Sequence, residues 1–95
     1  MHLASDFGIG AKITREDMAV LAYRVLVAKG NKVIYDKSQI SDFTDDAEIS
    51  EYAREAVYAM RGNSVMLGRG NNEFQPKAQA TRAEAAKIIY SIMSK

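Results

Sequence analysis

Apolar residues recur along two stretches of the chain at the spacing of one helix face. In ITREDMAVLAYRVL, from Ile13 to Leu26, the residues Met18, Leu21, Ala22, Val25 and Leu26 fall at i, i+3, i+4, i+7 and i+8. In ATRAEAAKIIYSIM, from Ala80 to Met93, the same series reads Ala85, Ile88, Ile89, Ile92 and Met93. This stripe predicts amphipathic helices over residues 14–29 and 81–94. A third periodic stretch, Ile49, Ala53, Ala56, Val57 and Met60, predicts a helix over 49–60 that breaks near Gly62, where the chain reads RGNS.

The first and last of these helices are copies of each other. A shift of 67 positions places Thr14 on Thr81, Arg15 on Arg82, Ala19 on Ala86, Tyr23 on Tyr90 and, further upstream, Phe7 on Phe74. A repeat restricts the folds open to a chain, because equivalent elements bury equivalent faces. Thr81 and Glu84 have capping-box spacing, and Thr14 with Asp17 repeats it with a shorter acid. Gly30 is placed to stop the first helix.

Material present once lies between the copies. Residues 31–42 read as a connector with a short extended piece at 32–35, and FTDDAE, residues 43–48, reads as an acidic helix entrance. Val65, Met66 and Leu67 are too few for a helix and lead into GRGNNEFQP. There Gly68, Gly70, Asn71 and Asn72 tolerate positive φ and Pro76 cannot continue a strand ladder, which predicts a tight ordered loop.

Arg15 and Arg82 each follow the capping threonine, where the partial positive charge of a helix N-terminus disfavours a cation by about 0.3 to 1 kcal/mol. Two accounts are open. Each side chain turns to solvent or to a neighbouring acid, which the residues by themselves favour; or arginine and free amides converge on an anion, as helix N-termini do for carboxylates and phosphates.

Composition narrows the classes. Ninety-five residues make one small domain or part of a larger protein, and 47% apolar with 26% charged residues is a globular balance. A net charge of +1, from 13 basic and 12 acidic residues without a basic block, leaves no footprint for nucleic acid or an anionic membrane. The absence of cysteine excludes disulfide scaffolds and thiolate metal sites. The apolar runs are too short to span a membrane, and residues 1–10 lack the core of a signal peptide. Asp42, Asp45, Asp46 and Glu48 lack the alternation and central glycine of an EF-hand loop, and His2 stands alone near the start. Ser64 and Thr44 have no histidine partner. No catalytic, metal or cofactor constellation is present, so the chain reads as non-enzymatic. The methionines and the repeated tyrosines, Tyr23 and Tyr90, are expected in or beside the core.

Phe43 and Asp45, a helix, an apolar triplet, a glycine turn ending in Phe74 and Pro76, then Thr81, Arg82, Ala83 and Glu84 opening a last helix: this order of parts resembles an S-layer homology repeat. Residues 43–95 resemble one complete repeat, residues 1–30 the C-terminal half of a preceding one, and 31–42 the connector. Departures from the family pattern include Ser64 and Leu67 for a usual glycine and asparagine, Ile9 for a proline, Glu16 with Asp17 for Ala83 with Glu84, and Tyr52 as the only aromatic near the usual tryptophan.

The resemblance implies an all-α fold, a small bundle of helix-loop-helix repeats completed by oligomerisation or helix exchange, since one and a half repeats leave apolar faces open. It implies a non-catalytic module of the bacterial cell surface that binds secondary cell wall polysaccharide, often through a pyruvylated sugar, without cofactor or metal. The glycan contacts it suggests are Arg82, Arg15, Gly68, Gly70, Asn71, Asn72 and Asp45, with Arg82 on the carboxylate. A second reading is a helical self-assembly module that has lost glycan binding, which the missing tryptophan and the altered turn favour.

Overall fold

Two threonines set the starts of two helices. Thr14 accepts a hydrogen bond from the backbone N–H of Asp17 (3.3 Å), and α1 follows as Arg15–Ala28. Thr81 accepts from the N–H of Glu84 (3.1 Å) while the Glu84 carboxylate accepts from the N–H of Thr81 (2.8 Å), opening a helix over Arg82–Met93. The capping box is complete at Thr81 and half-made at Thr14, where the shorter Asp17 carboxylate accepts from the Tyr52 hydroxyl. Each threonine cap contributes on the order of 1 kcal/mol. The computed structural model describes residues 13–31, 33, 35, 36, 38, 40 and 42–94. Phe7, Ile9 and His2 lie outside them, as do parts of the extended piece expected at 32–35.

Gly30, at φ +87°, ends α1. Its N–H donates to Val27 and that of Asn31 to Leu26, the paired bonds of a Schellman stop. The middle helix, α2, runs Glu51–Gly62 after a short 3-10 turn at Asp46–Glu48. It starts two residues later than the apolar spacing predicts, because Ser50 is the cap and buried Ile49 belongs to the preceding turn. It also runs through Gly62 and stops by the same device as α1, with Ser64 at φ 60° in the glycine position and Val65 donating to Met60. The helix over Arg82–Met93 is therefore α3.

α1 packs mainly on α2, and α3 packs mainly on α1. Ala19 and Ala22 of α1 and Ala53 and Ala56 of α2 are all buried, small residues that let two helices approach closely. Phe43, Tyr58 and Phe74 cluster at one end of this interface, with ring centroids 5.5 and 5.3 Å apart. Ile88 and Ile92 are the buried residues of α3. No strand forms among the described residues, only isolated bridges between Thr14 and Gln79 and between Gly70 and Glu73, so the fold is all-α. Met60 and Met66 lie in the core and Met18 and Tyr23 pack against it. Met93 and Tyr90 do not: each is 74% exposed, on a side of α3 that none of the described residues covers.

A serine held in the left-handed region costs about 1–2 kcal/mol, part of which glycine would return as unfolded-state freedom. Ser64→Gly is therefore expected to raise stability by about 0.5–1 kcal/mol in urea unfolding; a lower midpoint would show that the serine hydroxyl contributes more than its backbone costs.

Candidate functional site

Arg15 points into the protein. Its side chain is almost fully buried, and its guanidinium donates through Nε to the carbonyl of Phe74 (2.8 Å), through Nη2 to the carbonyl of Leu67 (2.9 Å) and through Nη1 to the Glu84 carboxylate. The guanidinium also lies 4.7 Å from the centroid of the Phe74 ring. The first amides of α1 are taken as well, since Arg15 N–H donates to Ala78 (2.9 Å) and Glu16 N–H to Pro76 (3.1 Å). A cation at this helix start is tolerated because the carbonyls of Leu67 and Phe74 and the Glu84 carboxylate surround it. Burial pulls the Arg15 pKa down, and Glu84 opposes that fall.

Glu84 is the shared acid of this end of the molecule. Its carboxylate accepts from Arg69 (2.8 and 2.7 Å), from Arg15 and from the cap N–H of Thr81. The Arg69 hydrogen bonds, against the opposing cost of burial, and then the Thr81 amide and Arg15, hold its pKa down at about 2. Arg69 also donates to the carbonyl of Gln79 (2.9 Å), tying the glycine loop to the start of α3. The sequence carries no local signal for Arg69, whose partners lie 10 and 15 residues away.

Glu16 forms the second polar junction. Only 3% exposed, it accepts from the N–H and hydroxyl of Ser50 (2.9 and 2.8 Å), from Lys77 (2.9 Å) and from Tyr52 (3.3 Å). Ser50 makes no side-chain cap of its own, so a carboxylate from α1 satisfies the start of α2. Burial raises the Glu16 pKa, but the bonds from Lys77 and Ser50 outweigh it and the net shift is downward. The repeat flags this position only as a departure, Glu16 standing where Ala83 stands in the other copy.

Asp45 staples the turn that presents Phe74. Its two carboxylate oxygens accept from the N–H groups of Phe74 (2.9 Å) and Gln75 (2.8 Å). Gly70, Asn71 and Asn72 adopt the positive φ that their residue types predict, and Gln75 does so as well. Gly68 is required for a different reason: a Cβ there would stand 2.6 Å from the carbonyl oxygen of Glu73.

Between this loop and α3 lies a cleft of about 140 Å³, lined by Arg15, Ser64 to Gly68, Glu84, Lys87 and Ile88. Of the residues singled out in the sequence, Arg15 and Gly68 line it. Gly70, Asn71 and Asn72 are exposed on the same loop, and Asp45 braces that loop from behind. Arg82 is exposed and is not among the cleft's walls. Lys87, which sequence reasoning passed over, is an exposed cation on the cleft wall with no ion pair among the described residues. Among those residues no group of acids and histidines could hold a metal, and no helix is long and apolar enough to cross a membrane.

Residues 42–86, which hold both the Asp45 staple and the Glu84 acid, match the profile of the S-layer homology domain. The chain contains an S-layer homology domain. It is 41% identical over 85 residues to an amylopullulanase of Thermoanaerobacterium thermosulfurigenes, an alignment covering 87% of this chain and 4% of that protein. It is 39% identical over 88 residues to the exoglucanase XynX of Acetivibrio thermocellus, covering 87% and 8%. It is 36% identical over 75 residues to the surface-layer 125 kDa protein of Lysinibacillus sphaericus, covering 79% and 6%. The chain thus spans less than a tenth of the length of these three relatives. No solved structure matches it. The S-layer homology domain is a non-catalytic cell-surface anchoring module, joined in the first two relatives to proteins named as enzymes. Within this domain, Ser64 holds a left-handed backbone, and the Tyr52 hydroxyl donates to the Asp17 carboxylate.

Removing Arg15 leaves Glu84 and two carbonyls without their donor. Arg15→Ala is expected to cost about 3–5 kcal/mol in chemical unfolding, a large part of the stability of so small a domain; a loss under about 1 kcal/mol would show the socket to be incidental.

The depressed pKa of Glu84 sets the sign of a second effect. Its stabilisation is complete above the ordinary glutamate value, 4.5, and is lost as pH falls toward about 2. The urea midpoint should therefore fall between about pH 5 and pH 2, and fall less steeply in Glu84→Gln. Equal slopes in the two proteins would assign acid sensitivity to other carboxylates, Glu16 first.

Proposed function

We propose that this domain holds its parent protein to the bacterial envelope by binding an acidic secondary cell wall polysaccharide, with a pyruvyl carboxylate meeting Lys87 in the cleft beside the glycine loop. The carrying observation is Lys87, which makes no ion pair among the described residues, on a cleft whose other charged residues, Arg15 and Glu84, are committed to each other. A lysine without an internal partner is free to neutralise an incoming anion, and a charge-assisted hydrogen bond is worth about 1.5–3 kcal/mol. The exposed loop from Gly68 to Asn72 offers backbone groups to sugar hydroxyls. Arg15 and Asp45 act in this reading as supports, one forming the floor and the other bracing the loop. Arg82 stands outside the cleft, so the sequence expectation that it meets the carboxylate gives way here to Lys87.

The test is sedimentation of the domain with purified cell walls. Lys87→Ala is expected to weaken binding about tenfold or more, and walls stripped of pyruvyl groups should lose it similarly. Arg82→Ala should bind as the parent does. Undiminished binding by Lys87→Ala would refute the assignment, and loss in Arg82→Ala alone would return the anion to Arg82.

Self-assembly is the second reading. The observation favouring it is the uncovered apolar side of α3, where Ile89 is 56% and Tyr90 and Met93 are each 74% exposed.

A further inference from the structure

Among the large apolar residues that stand exposed in the described part of the chain, Leu67 is the one that lines the cleft beside the glycine loop. It is 55% exposed, whereas Val65, Met66 and Ile88 on the same cleft are buried. An exposed leucine needs no explanation by itself, since much of any folded surface is apolar. The setting of this one is what sets it apart. The Leu67 carbonyl accepts from Arg15 (2.9 Å), and at the next residue, Gly68, a Cβ would stand 2.6 Å from the carbonyl oxygen of Glu73. Both flanking constraints fix the backbone here, so the leucine side chain belongs to a rigid wall.

The cleft therefore offers two kinds of contact. Lys87 is a cation with no ion pair among the described residues, while Arg15 and Glu84 neutralise each other. Leu67 adds an apolar surface to the same space. The volume, about 140 Å³, lies below the roughly 300–1,000 Å³ of sites that enclose a drug-sized ligand. It suits a small substituent projecting from a sugar better than a saccharide ring, whose hydroxyls would meet Leu67 without hydrogen-bond partners. A group with one negative charge and one apolar face satisfies both walls at once.

We infer that Leu67 decides which acidic group this cleft accepts, packing against the methyl of a pyruvyl ketal while Lys87 meets its carboxylate. This rests on the glycan reading and goes beyond it, because Lys87 selects only for charge, which any acidic sugar supplies. A uronic acid carries its carboxylate on the ring and has no methyl, so it leaves Leu67 uncovered or drives ring hydroxyls against it. A pyruvyl ketal carries carboxylate and methyl on one carbon outside the sugar ring. Burying that methyl against Leu67 corresponds to about a fourfold gain in affinity.

Two probes that differ by the methyl alone provide the test: the pyruvate ketal of a methyl hexoside, and the glyoxylate acetal of the same sugar with the same configuration at the acetal carbon. Calorimetric titration of the domain is expected to show the pyruvate ketal binding about fourfold tighter. Leu67→Asn, similar in size but polar, should bind the two about equally, and so should Leu67→Ala, which removes the apolar surface without adding a polar group. Both variants keep the carbonyl that Arg15 uses, and their urea midpoints should match the parent's. Lys87→Ala should weaken both probes by a common factor and preserve their ratio. If the parent binds the two probes equally, or if both Leu67 variants keep the parental preference, the inference is wrong and the glycan reading stands. If the parent binds neither probe, the placement of the carboxylate fails and the inference falls with it.

Discussion

The structure turns on a buried guanidinium. Arg15 emerges from the first turn of α1, where the helix dipole opposes it, and turns inward to meet the carbonyls of Leu67 and Phe74, the Phe74 ring and the Glu84 carboxylate. Desolvating a charge is costly, and the cost is recovered only when each donor finds an acceptor in good geometry. That requirement makes the contact specific: the loop must place two carbonyls and α3 must place its acid together. The register of α1 against the loop and α3 follows from it.

The loop has the form this socket demands. Asp45 holds the N–H groups of Phe74 and Gln75, leaving the Phe74 carbonyl free for Arg15. Gly68 lets two backbone segments approach closer than any side chain allows, and Arg69 fastens the loop to Glu84. Glu84 thereby caps α3, receives Arg15 and receives Arg69 with a single carboxylate. Next to Arg15 in α1's first turn, Glu16 performs a similar service for the start of α2 through Ser50 and Lys77. Two adjacent residues of one helix, of opposite charge, thus join α1 to the loop, to α3 and to the start of α2. The cleft that carries the proposed function exists because these contacts hold the loop and α3 apart at a set distance, with Arg15 as its floor and Lys87 on its wall.

Local signals were legible in the chain. The 67-residue offset is a direct match of residues, and the stripes of α1 and α3, the complete cap at Thr81, the stop at Gly30 and the positive φ of Gly70, Asn71 and Asn72 depend on neighbours within one or two turns. The middle helix was legible as a helix and in its stop near Gly62, but not in its start, which depends on Ser50 and Glu16. The fates of the two arginines were not legible at all. Their sequence contexts are nearly the same, yet Arg15 is buried and Arg82 exposed.

The amino-acid sequence by itself determined which segments become helices, where two of them begin, and that they are copies, because apolar period, caps and turn residues act over a few positions. Tertiary structure decided what each copy does. Arg15 and Glu16 acquire their roles from partners 34 to 69 residues away, and Glu84 from Arg15 and Arg69 at 69 and 15. Lys87 is significant only because other charges at its cleft are paired. Burial and pairing depend on which surfaces meet, and identical local chemistry therefore yields a buried contact in one helix and an open face in the other.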